Sequence, residues 1–314
     1  MNTLEIPSKN LLVNVPSTFD EMTAAQREYV LRQTVFYTNA HISKETWLIN
    51  CFFALANIKR TAKTRFLEKL YGPAWVVEKN CNAIIYAETI CADLLAVNNG
   101  QLEINYDSAH PPFTKAKPSL WAPAIHAPQS SLSDITFGEF RSAVAEMNDY
   151  FSSKDDYHLN RFVACLYRPK RKQLKKHMAS DNFDGHTRAL FNENKLDHWA
   201  SIAAKLHPWQ KIAVLLWFSS CIQTLKTGEI TLPDRTLSLE CLFPEPAKAS
   251  KGDKPKKDPS DAGWQKVLTT IAKEGLFGNV ASTDRQNLYT ILVHMYDVHQ
   301  NNLELERKFK PKTK

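Results

Sequence analysis

Two capped helix starts constrain this chain more than any other feature. At Thr23-Ala24-Ala25-Gln26 and again at Thr136-Phe137-Gly138-Glu139, a threonine stands three residues before a Gln or Glu. That spacing is a capping box: the hydroxyl accepts from the N–H of the fourth residue, whose side chain reaches back to the threonine N–H. Met22 and Ile135, just ahead of each threonine, are placed as hydrophobic staples. The boxes predict helices over residues 24–40 and from Thr136 to about residue 151. Each is followed by a second helix. Residues 44–58 have Ser43 as cap and Trp47, Leu48, Cys51, Phe52 and Leu55 on one face; residues 156–167 must stop before Pro169.

The two passages read as one pattern used twice. Residues 18–26 align with 131–139, and residues 48–60 with 159–171, so that Phe52 meets Val163, Leu55 meets Leu166 and Lys59-Arg60 meets Lys170-Arg171. An internal duplication produces such a pattern, and so do two independently capped αα-hairpins; the sequence leaves both open.

Composition agrees with helices. The 314 residues include only nine glycines, well under the average of about 7%. Turn-dense β folds and phosphate-cradling loops use more. Shorter helices are expected over 62–70 and 81–97, then a turn at Asn98-Asn99-Gly100. The most hydrophobic stretch, within 197–225, predicts a buried core helix after His207-Pro208. Residues 4–6 and 11–15 alternate and predict a small ribbon, and 229–243 alternates around Pro233 as a hairpin or strap. A last helical pair is expected over 264–273 and 283–306.

The expected class is therefore mainly α, a helical bundle of αα-hairpins with minor β ribbons. An N-terminal helical domain is expected over 1–104. Residues 105–131, with five prolines, form a linker or arm that Trp121 is placed to pin to a surface. A second helical domain covers 132–243. Residues 244–263, with four prolines and five lysines, read as a disordered linker, and 264–314 as a C-terminal helical unit with a basic tail.

The net charge of +7 is local. Residues 168–176 carry Arg168, Lys170, Arg171, Lys172, Lys175 and Lys176 with no acid, and 307–314 carry five more positive charges; the remainder has 29 basic against 33 acidic residues. Those six residues are the candidate contact for nucleic acid or another anionic partner. Aromatic interleaving, which favours single-strand stacking, is missing inside the stretch.

Nothing in the motifs points to catalysis. There is no GxxxxGK, GxGxxG, HExxH or GxSxG, so no catalytic residue, cofactor site or metal site is expected. His294 and His299 are five apart and diverge on a helix, and the other histidines read as surface or capping residues. The close acid pairs, Asp155-Asp156 and Asp181 with Asp184, suit helix starts or loops. None of the six cysteines form a CxxC pair, and they read as buried free thiols in a reducing intracellular setting. No apolar run is long enough to cross a bilayer, so no membrane partner is expected.

Three blocks together resemble a family. Val15-Pro-Ser-Thr-Phe-Asp-Glu-Met-Thr23-Ala-Ala-Gln26 opens the chain; Leu132-Ser-Asp-Ile-Thr-Phe-Gly-Glu-Phe140 with Leu159 to Pro169 follows; Trp264 to Asn279 and Asn287 to Met295 close it. In that order they are similar to tail-region proteins of tailed phages and prophages, notably of Bacteroidetes-type hosts. The resemblance implies a non-enzymatic tail assembly or structural protein, such as an assembly chaperone. It would bind tape-measure or tube protein, or itself, in the host cytoplasm during assembly or in the virion. The alternative from a different class is a nucleic-acid-binding module using residues 168–176.

Overall fold

The computed structural model describes the chain except residues 7–10, 92–93, 99–100, 105, 107, 182, 184, 233–234, 244–259 and 310–314. Most of the expected linker at 244–263, the end of the basic tail, the turn residues Asn99-Gly100, Asp184 and Pro233 lie outside the described residues. The remainder forms twelve α-helices, with strands only in short antiparallel pairs and one small three-stranded sheet, so the fold is mainly α. None of the described helices is long and apolar enough to cross a membrane.

The chain divides into two compact units, neither continuous in sequence: residues 1–112 with 207–220, and residues 113–206 with 221–314. This differs from the consecutive domains that composition suggested. The reason lies in aromatic anchors. Trp217 is fully buried and its indole N–H donates to the carbonyl of Ala109 at 3.3 Å, which ties part of a late helix to the N-terminal unit. Tyr106 is buried with its ring 4.5 Å from that of Phe19, so the start of the Pro-rich segment packs rather than links.

The first unit opens with the expected ribbon, β1 (Asn2–Ile6) against β2 (Leu11–Val15). The hairpin of α1 (Ala24–Thr38) and α2 (Lys44–Leu55) follows. Thr23 and Gln26 form the complete capping box, with Gln26 N–H donating to the hydroxyl at 3.2 Å and Thr23 N–H to the Gln26 amide oxygen at 2.9 Å. Trp47, Leu48, Cys51, Phe52 and Leu55 are all buried, as the spacing predicts.

Two helices differ from expectation. α3 runs Ala62–Lys79 across a break at Gly72, whose φ of 80° is open to glycine, and Pro73 restarts the helix where its missing N–H costs nothing. α4 (Cys81–Ile90) ends early, and β3 (Leu95–Asn98) pairs with β4 (Gln101–Ile104) instead of extending it. In sequence, Asn-Gly between two short runs is the strongest short hairpin signal.

The second unit is built on α5 (Phe137–Ser153) and α6 (Asp156–Leu166), capped by Thr136 and Asp155. Residues 113–131, expected as linker, supply β5 (Lys115–Ala116) and β6 (Ile125–His126); these form the three-stranded sheet with β7 (Arg168–Pro169). α7 (Leu174–Met178) lies within the basic stretch, and α8 (Leu196–Ala203) packs on α6. α9 (Pro208–Thr227) is the core helix; Ala213, Val214, Leu215, Trp217 and Phe218, buried along it, belong to the first unit, and only its residues from 221 on belong to the second. β8 (Glu229–Thr231) and β9 (Thr236–Ser238) form the hairpin read around Pro233.

The last segment does not stand as a separate unit. α10 (Ser260–Glu274) sets the Trp264 ring 5.2 Å from Phe140 and 5.9 Å from Phe137 on α5. The single helix expected over 283–306 is split into α11 (Val280–Asp284) and α12 (Leu288–Phe309). Gln286 and Asn287 are drawn out to bridge the cap of α5: Phe137 N–H donates to Gln286 O at 2.9 Å and Leu288 N–H to Ile135 O at 3.0 Å.

All six cysteines are free thiols, but not all are buried. Cys51, Cys91, Cys165 and Cys221 are enclosed, whereas Cys81 and Cys241 are exposed. Burial pushes the Cys91 and Cys221 thiols up to about 12 and raises Cys51 and Cys165 as well, which suppresses the reactive thiolate. An aromatic disulfide reagent is expected to titrate Cys81 and Cys241 in the native protein, and all six thiols in denaturant. Rapid native reaction of any enclosed thiol, read by the absorbance of the released group, would contradict this packing.

Candidate functional site

Pro169 cannot continue α6, so the chain turns extended at Tyr167 and Arg168 becomes the first residue of β7, paired with His126 of β6. That turn directs the Arg168 side chain inward, where it is 1% exposed. Its Nε donates to the carbonyl of Ala189 at 2.8 Å, one terminal nitrogen donates to the carbonyl of Cys165, and the other to Oε1 of Glu139. Oε2 of Glu139 accepts from Arg188 at 3.2 Å. Arg188 also donates to the carbonyl of Leu166 at 2.6 Å and lies 3.3 Å from Oδ1 of Asp134. The Arg168 guanidinium lies 5.5 Å from the Phe191 ring centre and 5.7 Å from that of Trp199.

This arrangement overturns two expectations. Arg168 is no contact for nucleic acid or an anionic partner, because it is buried and each of its three nitrogens donates inside the protein. Burial lowers its pKa to about 10, which leaves it protonated at neutral pH beside Glu139. The second capping box is only half formed: Glu139 N–H donates to Thr136 Oγ1 at 3.2 Å, but the Glu139 carboxylate goes to the two arginines. A carboxylate gains more from two guanidinium groups than from one neutral backbone N–H.

The rest of the stretch stays on the surface. Lys170, Lys172, Lys175 and Lys176 are exposed and Arg171 is half-buried, its backbone N–H donating to Thr187 O at 3.0 Å. The sheet brings Lys115 of β5 beside them. Burial, then the nearby charges of Lys170 and Lys115, hold His126 below the ordinary histidine range. Lys115 and His126 were not legible as members of this patch, since they lie more than forty residues upstream. Arg188 carried no signal at all. The other predicted residues, Thr23 and Gln26, belong to the first unit and cap α1.

Among the described residues, one group could hold a metal on geometry alone. Glu146, Asp149 and His158 bring ligand atoms within 4.8 Å of one another. Both Glu146 oxygens are engaged, however: Arg161 Nε donates to one at 2.5 Å, and His158 Nδ1 lies 2.9 Å from the other. Arg161 continues to Asp197 and to the Tyr157 hydroxyl. The group is accounted for as a bridge between α5, α6 and α8.

The fold and its sites thus define a mainly α protein with a buried arginine–glutamate hub and a basic surface patch. Comparison with protein-family models, with curated proteins and with solved structures returns no match.

The hub yields a stability prediction. Glu139→Gln removes the charge between two enclosed guanidinium groups, and breaking a buried pair this way costs about 3–5 kcal/mol. Urea denaturation is expected to show a loss of that size. A loss below about 1 kcal/mol, the range of surface pairs, would mean the hub is not load-carrying in solution.

Proposed function

We propose that the chain is a non-enzymatic assembly protein of a tailed phage, whose second unit presents a binding loop to a tape-measure or tube protein. The tail partner follows from the resemblance of the three blocks. The observation that carries a binding role is Trp121, which is 93% exposed, next to Leu120 at 76%. These two occupy the centre of a turn closed by Ala122 N–H donating to Ser119 O at 3.3 Å, between β5 and β6. Instead of pinning the arm to a surface, as its sequence suggested, Trp121 is held outward. A tryptophan buries about 150–250 Å² when covered and is enriched among residues that dominate interface energies. The strands on either side are fixed through β7 to the buried hub, so the loop is presented by an ordered support.

The second reading, nucleic-acid binding, is favoured by the exposed lysines that the pairing of β5, β6 and β7 gathers, and uses Lys115, Lys170, Arg171, Lys172, Lys175 and Lys176. The two readings separate by experiment. Trp121→Ala is expected to leave the melting temperature unchanged and to reduce capture of co-expressed tape-measure or tube protein by about tenfold or more. Undiminished capture would sink the loop's role. DNA binding whose affinity falls steeply with salt, and is lost in Lys170→Glu/Lys172→Glu, would favour the nucleic-acid reading instead.

A further inference from the structure

The two αα-hairpins share more than their caps. Gln33 Oε1 accepts from Asn50 at 2.7 Å across α1 and α2, and at the aligned positions Glu146 accepts from Arg161 at 2.5 Å across α5 and α6. Gln26 Nε2 donates to the last carbonyls of α2, Ala54 at 3.2 Å and Leu55 at 3.0 Å. The aligned carbonyls at the end of α6, Cys165 and Leu166, are capped by Arg168 and Arg188, both held by Glu139, the counterpart of Gln26.

The faces above these hairpin ends are treated differently. In the second unit residues 187–199 cover it. Ser142 Oγ donates to Glu193 at 3.0 Å, Arg161 pairs with Asp197, Ala189 N–H donates to Pro169 O at 2.8 Å, and Phe191 and Trp199 flank Arg168. In the first unit the corresponding face is an open pocket of about 770 Å³. Tyr29 and Phe53 stand in its lining where Ser142 and Ala164 stand in the second unit, and Lys59 and Arg65 bring positive charge. Arg60 also lines it and is paired with Glu68 at 3.1 Å; no acid lines the pocket.

We propose that this pocket binds a polypeptide segment of a partner protein that carries aromatic and acidic side chains, seated as residues 187–199 are seated on the second hairpin. The aromatic walls take its aromatic side chain, and Lys59 and Arg65 take its carboxylates. Because Gln26 already caps Ala54 and Leu55, the segment needs no counterpart of Arg188. The site lies wholly within the first unit and is independent of Trp121, so failure of either reading leaves the other standing.

The probe is a fluorescein-labelled synthetic peptide of this chain's own residues 189–199, which begins after Arg188 and carries Phe191, Glu193, Asp197 and Trp199. Its own place in the second unit is held by the covalently attached segment at high effective concentration, which leaves the first-unit pocket as its target. Fluorescence anisotropy with the full chain should show saturable binding. That binding should weaken at least about tenfold in Lys59→Glu/Arg65→Glu and stay unchanged in Lys170→Glu, with melting curves confirming that both variants fold. A peptide with Phe191→benzoylphenylalanine should photo-crosslink near Tyr29 or Phe53 in the unmodified protein, a readout that needs no variant. No saturable binding, binding indifferent to the double substitution, or crosslinks confined to the second unit would overturn the proposal.

Discussion

The pairing of Glu139 with Arg168 and Arg188 holds the second unit together. It joins the first turn of α5, the end of α6, the start of β7 and the segment leading to α8 through groups that are 1–2% exposed. Taking such charges out of water costs several kcal/mol each, and only satisfied hydrogen bonds offset that cost. The carbonyls of Cys165, Leu166 and Ala189 supply acceptors that would otherwise be orphaned at a helix end. The hub therefore meets two needs together, the buried charges and the open end of α6, while Arg188 Nε is buried without a hydrogen-bond partner. Its fixed geometry sets β7, and through β7 the neighbouring strands and the loop that carries Trp121.

The first unit meets the same helix-end problem with a neutral amide. Gln26 reaches Ala54 and Leu55 directly, without any arginine and without a covering segment. Matching cap positions, matching cross-helix bridges and matching carbonyls are what a duplicated hairpin would retain. Gln26, Gln33 and Asn50 stand in the first hairpin where Glu139, Glu146 and Arg161 stand in the second. Where the bridges carry charge, residues 187–199 cover them; where they are amides, the face is open as a pocket.

Much of the architecture was legible beforehand. The caps at Thr23, Ser43 and Thr136, the placing of Asp155 at a helix start, the ribbon of the first fifteen residues and the core helix after Pro208 all follow from side chains acting within a turn or two of themselves. The site was less legible. Of the six basic residues taken as a surface contact, Arg168 is internal, since nothing local distinguishes it from Lys170 or Lys172. Its partners lie 29 residues before it and 21 after it, and burial is decided by where they converge. The patch that remains gains Lys115 through strand pairing, which residue spacing does not announce.

What the sequence determined alone was the mainly helical class, the capped hairpins and the repeated pattern, because capping, periodicity and turn chemistry are local. Tertiary structure decided how long-range competition resolved local preference. It diverted the Glu139 carboxylate from its own helix cap, pulled Gln286 and Asn287 out of a helix to bridge Thr136 and its neighbours, and assigned part of the α9 helix to the N-terminal unit. It also decided that Trp121 points outward. Each outcome depends on groups distant in sequence, whose charge and hydrogen-bonding needs become specific only once the fold sets them side by side.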